Sequence, residues 1–161
     1  MISAVDLLIG IGVGASMTNI IVPGADGTLH TNYEGKADAA VKALTEDGYD
    51  FSYIHVEAPD EMGHQGSAER KIQAIQFLDE KVIKRVAKAL DEKNEDYRML
   101  VLPDHPTPIC VRTHTSDPVP YMLYDSTDKK AESWDYNEKA AKASGNYIEK
   151  GHEVILHLFE K

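Results

Sequence analysis

Five candidate metal ligands, Asp60, His64, Asp104, His105 and His114, fall in three short stretches of this sequence. The first stretch is His55-Val56-Glu57-Ala58-Pro59-Asp60-Glu61-Met62-Gly63-His64. Asp60 and His64 are four residues apart, so a helical turn here would put both on one face, where they could share an ion. Gly63 lets backbone come close to an ion or a substrate. The second stretch, Leu102-Pro103-Asp104-His105-Pro106-Thr107-Pro108, sets a carboxylate beside an imidazole among three prolines that fix the local φ angles. Nine residues after His105, the run Arg112-Thr113-His114-Thr115-Ser116-Asp117-Pro118-Val119-Pro120 carries a third histidine flanked by hydroxyls. Each stretch alone reads as an ordinary solvated or proline-rich loop. Together, two carboxylates and three imidazoles make a nitrogen and oxygen donor set suited to Zn²⁺ or Mn²⁺. The single cysteine, Cys110, argues against a closed structural zinc site.

The elements that must position these residues follow from hydrophobic period. Strand-like apolar runs lie near residues 18–22, 51–56, 98–102 and 120–124, and two of them lead directly into the first two stretches. Helical spacing marks Ser3–Gly12, residues 36–46 and residues 67–91, the last with Ile72, Ile75, Leu78, Val82, Val86 and Leu90 as its apolar stripe. Two shorter helices are expected near Asn137–Ser144 and Gly151–Phe159, after a charged loop over Asp125–Asp135. Strands spaced by helices predict an α/β fold, a mostly parallel sheet with helices on both faces, over a single unit spanning 1–161. Ligands in such sheets gather at the carboxyl ends of the strands. Cys110 reads as a small buried hydrophobe.

Composition narrows the function classes. A formal charge of −10 over 161 residues disfavours nucleic acid and anionic lipid as partners. No apolar run is long enough to span a bilayer. The first residues, Met1-Ile2-Ser3-Ala4-Val5-Asp6, lack the basic start of a secretory signal. One cysteine suits a reducing cytoplasm.

The three metal-type runs, in this order and spacing, resemble cofactor-independent phosphoglycerate mutase, in its archaeal-type branch within the alkaline phosphatase superfamily. Val22-Pro23-Gly24-Ala25, Thr31-Asn32-Tyr33-Glu34-Gly35-Lys36-Ala37, the Lys71–Asp79 segment and the Tyr136-Asn137-Glu138 and Gly151-His152-Glu153 ending agree with that branch. The resemblance implies a partial alkaline-phosphatase-like fold and two divalent ions, Mn²⁺ or Zn²⁺. Asp60, His64 and His114 would hold one ion, and Asp104 with His105 would hold the other. It implies interconversion of 3- and 2-phosphoglycerate through a phosphoserine, with Lys36 and Arg112 as the cations placed to approach substrate phosphate. The nucleophilic serine, an N-terminal aspartate ligand and the cap domain of the family find no counterpart here, because Ser3, Ser16, Ser52 and Ser67 stand in other contexts. The chain is therefore expected to be a C-terminal portion, inactive alone, holding one ion or none and self-associating through an exposed sheet edge. Two other readings stand beside this one: another phosphomutase or phosphatase of the superfamily, and a non-catalytic metal- or phosphate-binding module.

Overall fold

A computed structural model describes residues 1–128 and 133–159. The part of the Asp125–Asp135 loop at 129–132 lies outside the described residues. The chain divides into two compact units, Met1–Lys93 with Thr107–Thr113, and Asn94–Pro106 with His114–Lys161.

The first unit is helical. Its elements are α1 (Asp6–Gly14), α2 (Tyr33–Thr45), α3 (Ala58–His64), α4 (Ala68–Leu78) and α5 (Lys84–Glu92), with α4 and α5 joined by a π-helical turn at Asp79–Ile83. The core lies where α2 packs on the π turn and α5. Tyr33, Ala37, Ala40, Val41 and Ala43 of α2 are buried there with Val82, Val86 and Leu90. The Tyr33 ring meets Phe77 edge-on at 5.7 Å, and its hydroxyl donates to Leu29 O at 3.1 Å.

Asn32 starts α2. Its Oδ1 accepts from Gly35 N at 2.9 Å while its Nδ2 donates to Pro23 O at 2.8 Å, so one side chain both caps the helix and ties down the preceding loop. Asn32→Ala is expected to cost about 1–2 kcal/mol of stability, the upper part of the range for a lost cap, measured as a shift of the urea midpoint.

The long helical stripe is only half as the sequence suggests. Val82, Val86 and Leu90 are buried, but Ile72 and Ile75 are 58% and 50% exposed, and Ala74 is buried in their place. The π turn is the reason. It inserts one extra residue, which rotates everything upstream by about 100° relative to α5. Position 74 thereby takes the inward face that position 75 would otherwise hold.

The mostly parallel sheet is not what forms. Ile2 and Ile54 make one isolated parallel bridge, through Ile2 N to Tyr53 O at 2.8 Å and His55 N to Ile2 O at 2.9 Å. On the other side Ile20 N donates to Met1 O at 2.9 Å. Residues 18–22 and 51–56, expected as strands, form no named strand; the segment between them is short, because α1 begins at Asp6. A ladder has no length over which to propagate. Around it, α1 and the adjoining segment expose apolar side chains, with Leu7 and Ile21 each 72% exposed.

The second unit holds β1 (Arg98–Val101) and β2 (Met122–Asp125), paired antiparallel with Arg98 opposite Asp125. These strands lie where expected, in the opposite relation. A parallel return needs a crossover of a dozen or more residues, usually a helix. The intervening chain carries Pro103, Pro106, Pro108, Pro118 and Pro120, which forbid a helix of that length. Arg98 Nε donates to Asp125 Oδ2 at 2.7 Å across the pair. The Thr127 hydroxyl and amide, with Arg98, draw the Asp125 carboxyl down to about 2. The remaining elements are α6 (Glu138–Ser144), capped by Asn137 Oδ1 accepting from Ala140 N at 2.8 Å, a 3₁₀ turn at Gly151–Glu153, and α7 (Leu156–Phe159). The Tyr136 hydroxyl sits 3.2 Å from Pro120 O and 3.3 Å from Val101 O. No helix among the described residues is long and apolar enough to cross a membrane.

Candidate metal centre

Asp60 and His64 are placed by α3. Pro59 stands in its first turn with Asp60 and Glu61, where a fixed φ and negative charge both favour a helix start. The four-residue spacing then brings His64 Nε2 to 3.3 Å from Asp60 Oδ2. Two ligands bound at about 2.0–2.1 Å to one tetrahedral ion stand about 3.3 Å apart.

The other ring nitrogen fixes the tautomer. His64 Nδ1 lies 3.0 Å from Arg112 O, and a carbonyl only accepts, so Nδ1 carries the proton and donates. Nε2 is thereby left facing the Asp60 carboxylate. A ligating histidine whose other nitrogen donates to a backbone carbonyl is the usual outer arrangement of metal sites.

Arg112 presents that carbonyl from a left-handed backbone, φ 59°. Its guanidinium packs over Gly66, where a Cβ would come within 2.4 Å of Arg112 Nε. Gly66 itself has φ +69°, a left-handed backbone that favours glycine.

The opposite oxygen of Asp60 is held as well. The Thr107 hydroxyl donates to Asp60 Oδ1, and Thr107 is buried. Thr107 O in turn accepts from Lys71 Nζ at 2.6 Å. Gly63 makes this packing possible, because a Cβ there would meet Thr107 O at 2.5 Å.

His114, the third expected ligand, lies in the second unit, at the point where the chain re-enters it after Thr113. In the second unit, Asp104 Oδ2 is 3.4 Å from His105 Nε2, and Asp104 Oδ1 accepts from His105 N at 3.1 Å. The His105 and His114 rings stack with centroids 3.6 Å apart.

Lys36 is buried, with no exposed surface, and donates to His55 O at 2.9 Å. Burial lowers its pKa, against the opposing pull of Glu57 and Asp26. Glu57 shifts the other way, its carboxyl raised by burial and by the neighbouring Glu61 charge. Asp26 is occupied locally, accepting from the Thr28 amide and hydroxyl at 2.9 Å and 2.8 Å. Cys110 is exposed, contrary to the expectation of a buried thiol: it lies in the turn that Pro108 O closes with the amides of Val111 and Arg112.

Sequence reasoning gave no role to Thr107 or Lys71. The available signal for Thr107 was a hydroxyl fixed between two prolines in a ligand-bearing loop. Nothing in the sequence marked Lys71.

The chain belongs to the Metalloenzyme superfamily, whose family model matches residues 1–152. Its relatives are 2,3-bisphosphoglycerate-independent phosphoglycerate mutases. The protein of that name from Methanosarcina acetivorans is 47% identical over 157 residues, 96% of this chain and 39% of its own length. That from Methanothermobacter thermautotrophicus is 55% identical over 122 residues, covering 76% of this chain and 29% of its own. The probable mutase of Geobacter sulfurreducens is 43% identical over 162 residues, 100% of this chain and 40% of its own. The chain thus spans about two fifths of the curated relatives it matches. The solved structure of the PH0037 protein from Pyrococcus horikoshii superposes with a TM-score of 0.83 at 25% identity, over 98% of this chain and 46% of that one.

Proposed function

We propose that this chain is the portion of a metal-dependent phosphoglycerate mutase that carries most of its metal ligands. Asp60, His64 and His114 hold one divalent ion, Mn²⁺ or Zn²⁺, and Asp104 with His105 contribute to a second. The observation that carries the reading is the Asp60–His64 pair, with Nε2 at 3.3 Å from Oδ2 and Nδ1 committed to a carbonyl. Paired ions of this type lower the pKa of a nucleophile and neutralise a transferring phosphoryl group. The chain's own residues supply position. Arg112 O and Thr107 Oγ1 orient the two ligands of α3. Two of the chain's serines are otherwise engaged, Ser3 Oγ with His55 Nδ1 at 3.3 Å and Ser67 as the cap of α4. The phosphoenzyme of the proposed reaction needs a serine from elsewhere.

The test is an enolase-coupled assay starting from 3-phosphoglycerate, with Mn²⁺ present. It compares the 161-residue chain with the same chain joined to the N-terminal portion of the Methanosarcina acetivorans relative. Turnover by the joined protein alone, abolished by Asp60→Ala, is the expected result. Turnover by the 161-residue chain unaided would overturn the partial-enzyme reading. A joined, metal-loaded protein that ignores phosphoglycerate and hydrolyses other phosphomonoesters would assign the site to a phosphatase instead.

A further inference from the structure

We infer that Thr107 is the positioning residue of this metal centre, its hydroxyl holding Asp60 so that Oδ2 faces the ion, and that Lys71 fixes Thr107 in turn. The inference rests on the metal reading proposed above and adds to it the residues that give the site its geometry.

A carboxylate near one end of a short helix has two χ angles to settle and two equivalent oxygens. Left to itself, Asp60 would turn between ligating through one oxygen, ligating through both, and pairing with water. The Thr107 hydroxyl removes that freedom by donating to Oδ1, which leaves Oδ2 at 3.3 Å from His64 Nε2. The hydroxyl can do this because its own backbone is immobilised on three sides. Pro106 and Pro108 fix the chain before and after it. Lys71 Nζ donates to its carbonyl at 2.6 Å. The Cα of Gly63 lies against that same carbonyl, where a Cβ would be 2.5 Å away. Thr107 is buried, so water does not compete for the bond.

The experiment is isothermal titration of Mn²⁺ into the unmodified chain and into Thr107→Val, Thr107→Ser and Lys71→Met, with circular dichroism to confirm folding. Loss of an outer hydrogen bond to a ligand typically weakens metal binding about 10–100-fold, and that is expected for Thr107→Val. Thr107→Ser keeps the donor and should stay within about threefold of the parent. Lys71→Met should weaken binding about 3–10-fold, and it decides the matter if Thr107→Val does not fold. Equal binding by the valine and parent proteins would overturn the inference, as would equal losses in the serine and valine variants, which would trace the effect to packing. If the parent chain binds neither Mn²⁺ nor Zn²⁺, the metal reading fails and the inference falls with it.

Discussion

Asp60→Asn is expected to lower the affinity of this chain for Mn²⁺ or Zn²⁺ by about 100-fold or more, beyond the range for an outer-shell loss. Asparagine keeps the size of the side chain and can still accept the Thr107 hydroxyl through its oxygen. Its amide nitrogen then occupies the place of Oδ2 and donates toward His64 Nε2, 3.3 Å away in the parent. The substitution removes a negative ligand and closes the lone pair of its neighbour with a hydrogen bond. His64→Ala should be as severe, because it deletes a ligand and leaves Arg112 O without its donor. Glu61→Gln, one residue along α3, removes the same charge without touching the ligand set and should change affinity less than about threefold, as a screened surface charge does. Calorimetric titration at fixed pH separates these outcomes. Parent-like binding by Asp60→Asn would sink the assignment of Asp60 as a ligand. Because ligands must shed protons to bind a metal, affinity in the parent should also rise with pH.

Much of this site was legible from residue type and spacing alone. Asp60 and His64 converge because they are four apart on a helix. Lys36 was less legible. A lysine near the start of an amphipathic helix gives no sign of whether its amine is solvated, and here it is buried against His55 O. The helix that carries Asp60 was hidden by Pro59 and Gly63, which read as loop residues, although proline suits a first helical turn. The sheet was misread for reasons that period alone cannot show. Strand-like composition placed β1 and β2 correctly, but direction depends on the connection, and five prolines between the strands make that connection a loop. The apolar stripe of α4 failed upstream of Asp79 because a single inserted residue resets helical phase. A residue-spacing argument assumes one uniform period and cannot register such a change. Apolar spacing in α1 likewise does not tell which faces the rest of the molecule covers, and Leu7, Ile11 and Val13 remain exposed.

Two glycine-to-alanine substitutions should move stability in opposite directions. Gly10 lies inside α1 with nothing within 4 Å of an added Cβ. Alanine there restricts the unfolded chain and favours the helix, so Gly10→Ala is expected to stabilise by about 0.5–1 kcal/mol. Gly63 also lies in a helix, and propensity alone predicts the same gain. Contacts reverse it. An added Cβ would stand 2.5 Å from Thr107 O, 2.9 Å from Lys71 Nζ and 3.0 Å from Thr107 Cγ2. The lysine amine is the flexible end of a long side chain and can withdraw. The carbonyl cannot, since it belongs to backbone fixed between two prolines. Relief must come from moving α3 away from the Thr107 segment, and overpacking of this kind costs about 1–3 kcal/mol, which outweighs the propensity gain. The same movement pulls Thr107 Oγ1 off Asp60, so Gly63→Ala should also weaken Mn²⁺ binding about tenfold, as loss of an outer-shell partner does. Urea denaturation of the metal-free proteins reads the first effect and calorimetric titration the second. A Gly63→Ala protein as stable as Gly10→Ala would mean that the Thr107 loop yields freely, and a loop that yields freely could not hold Asp60 in place.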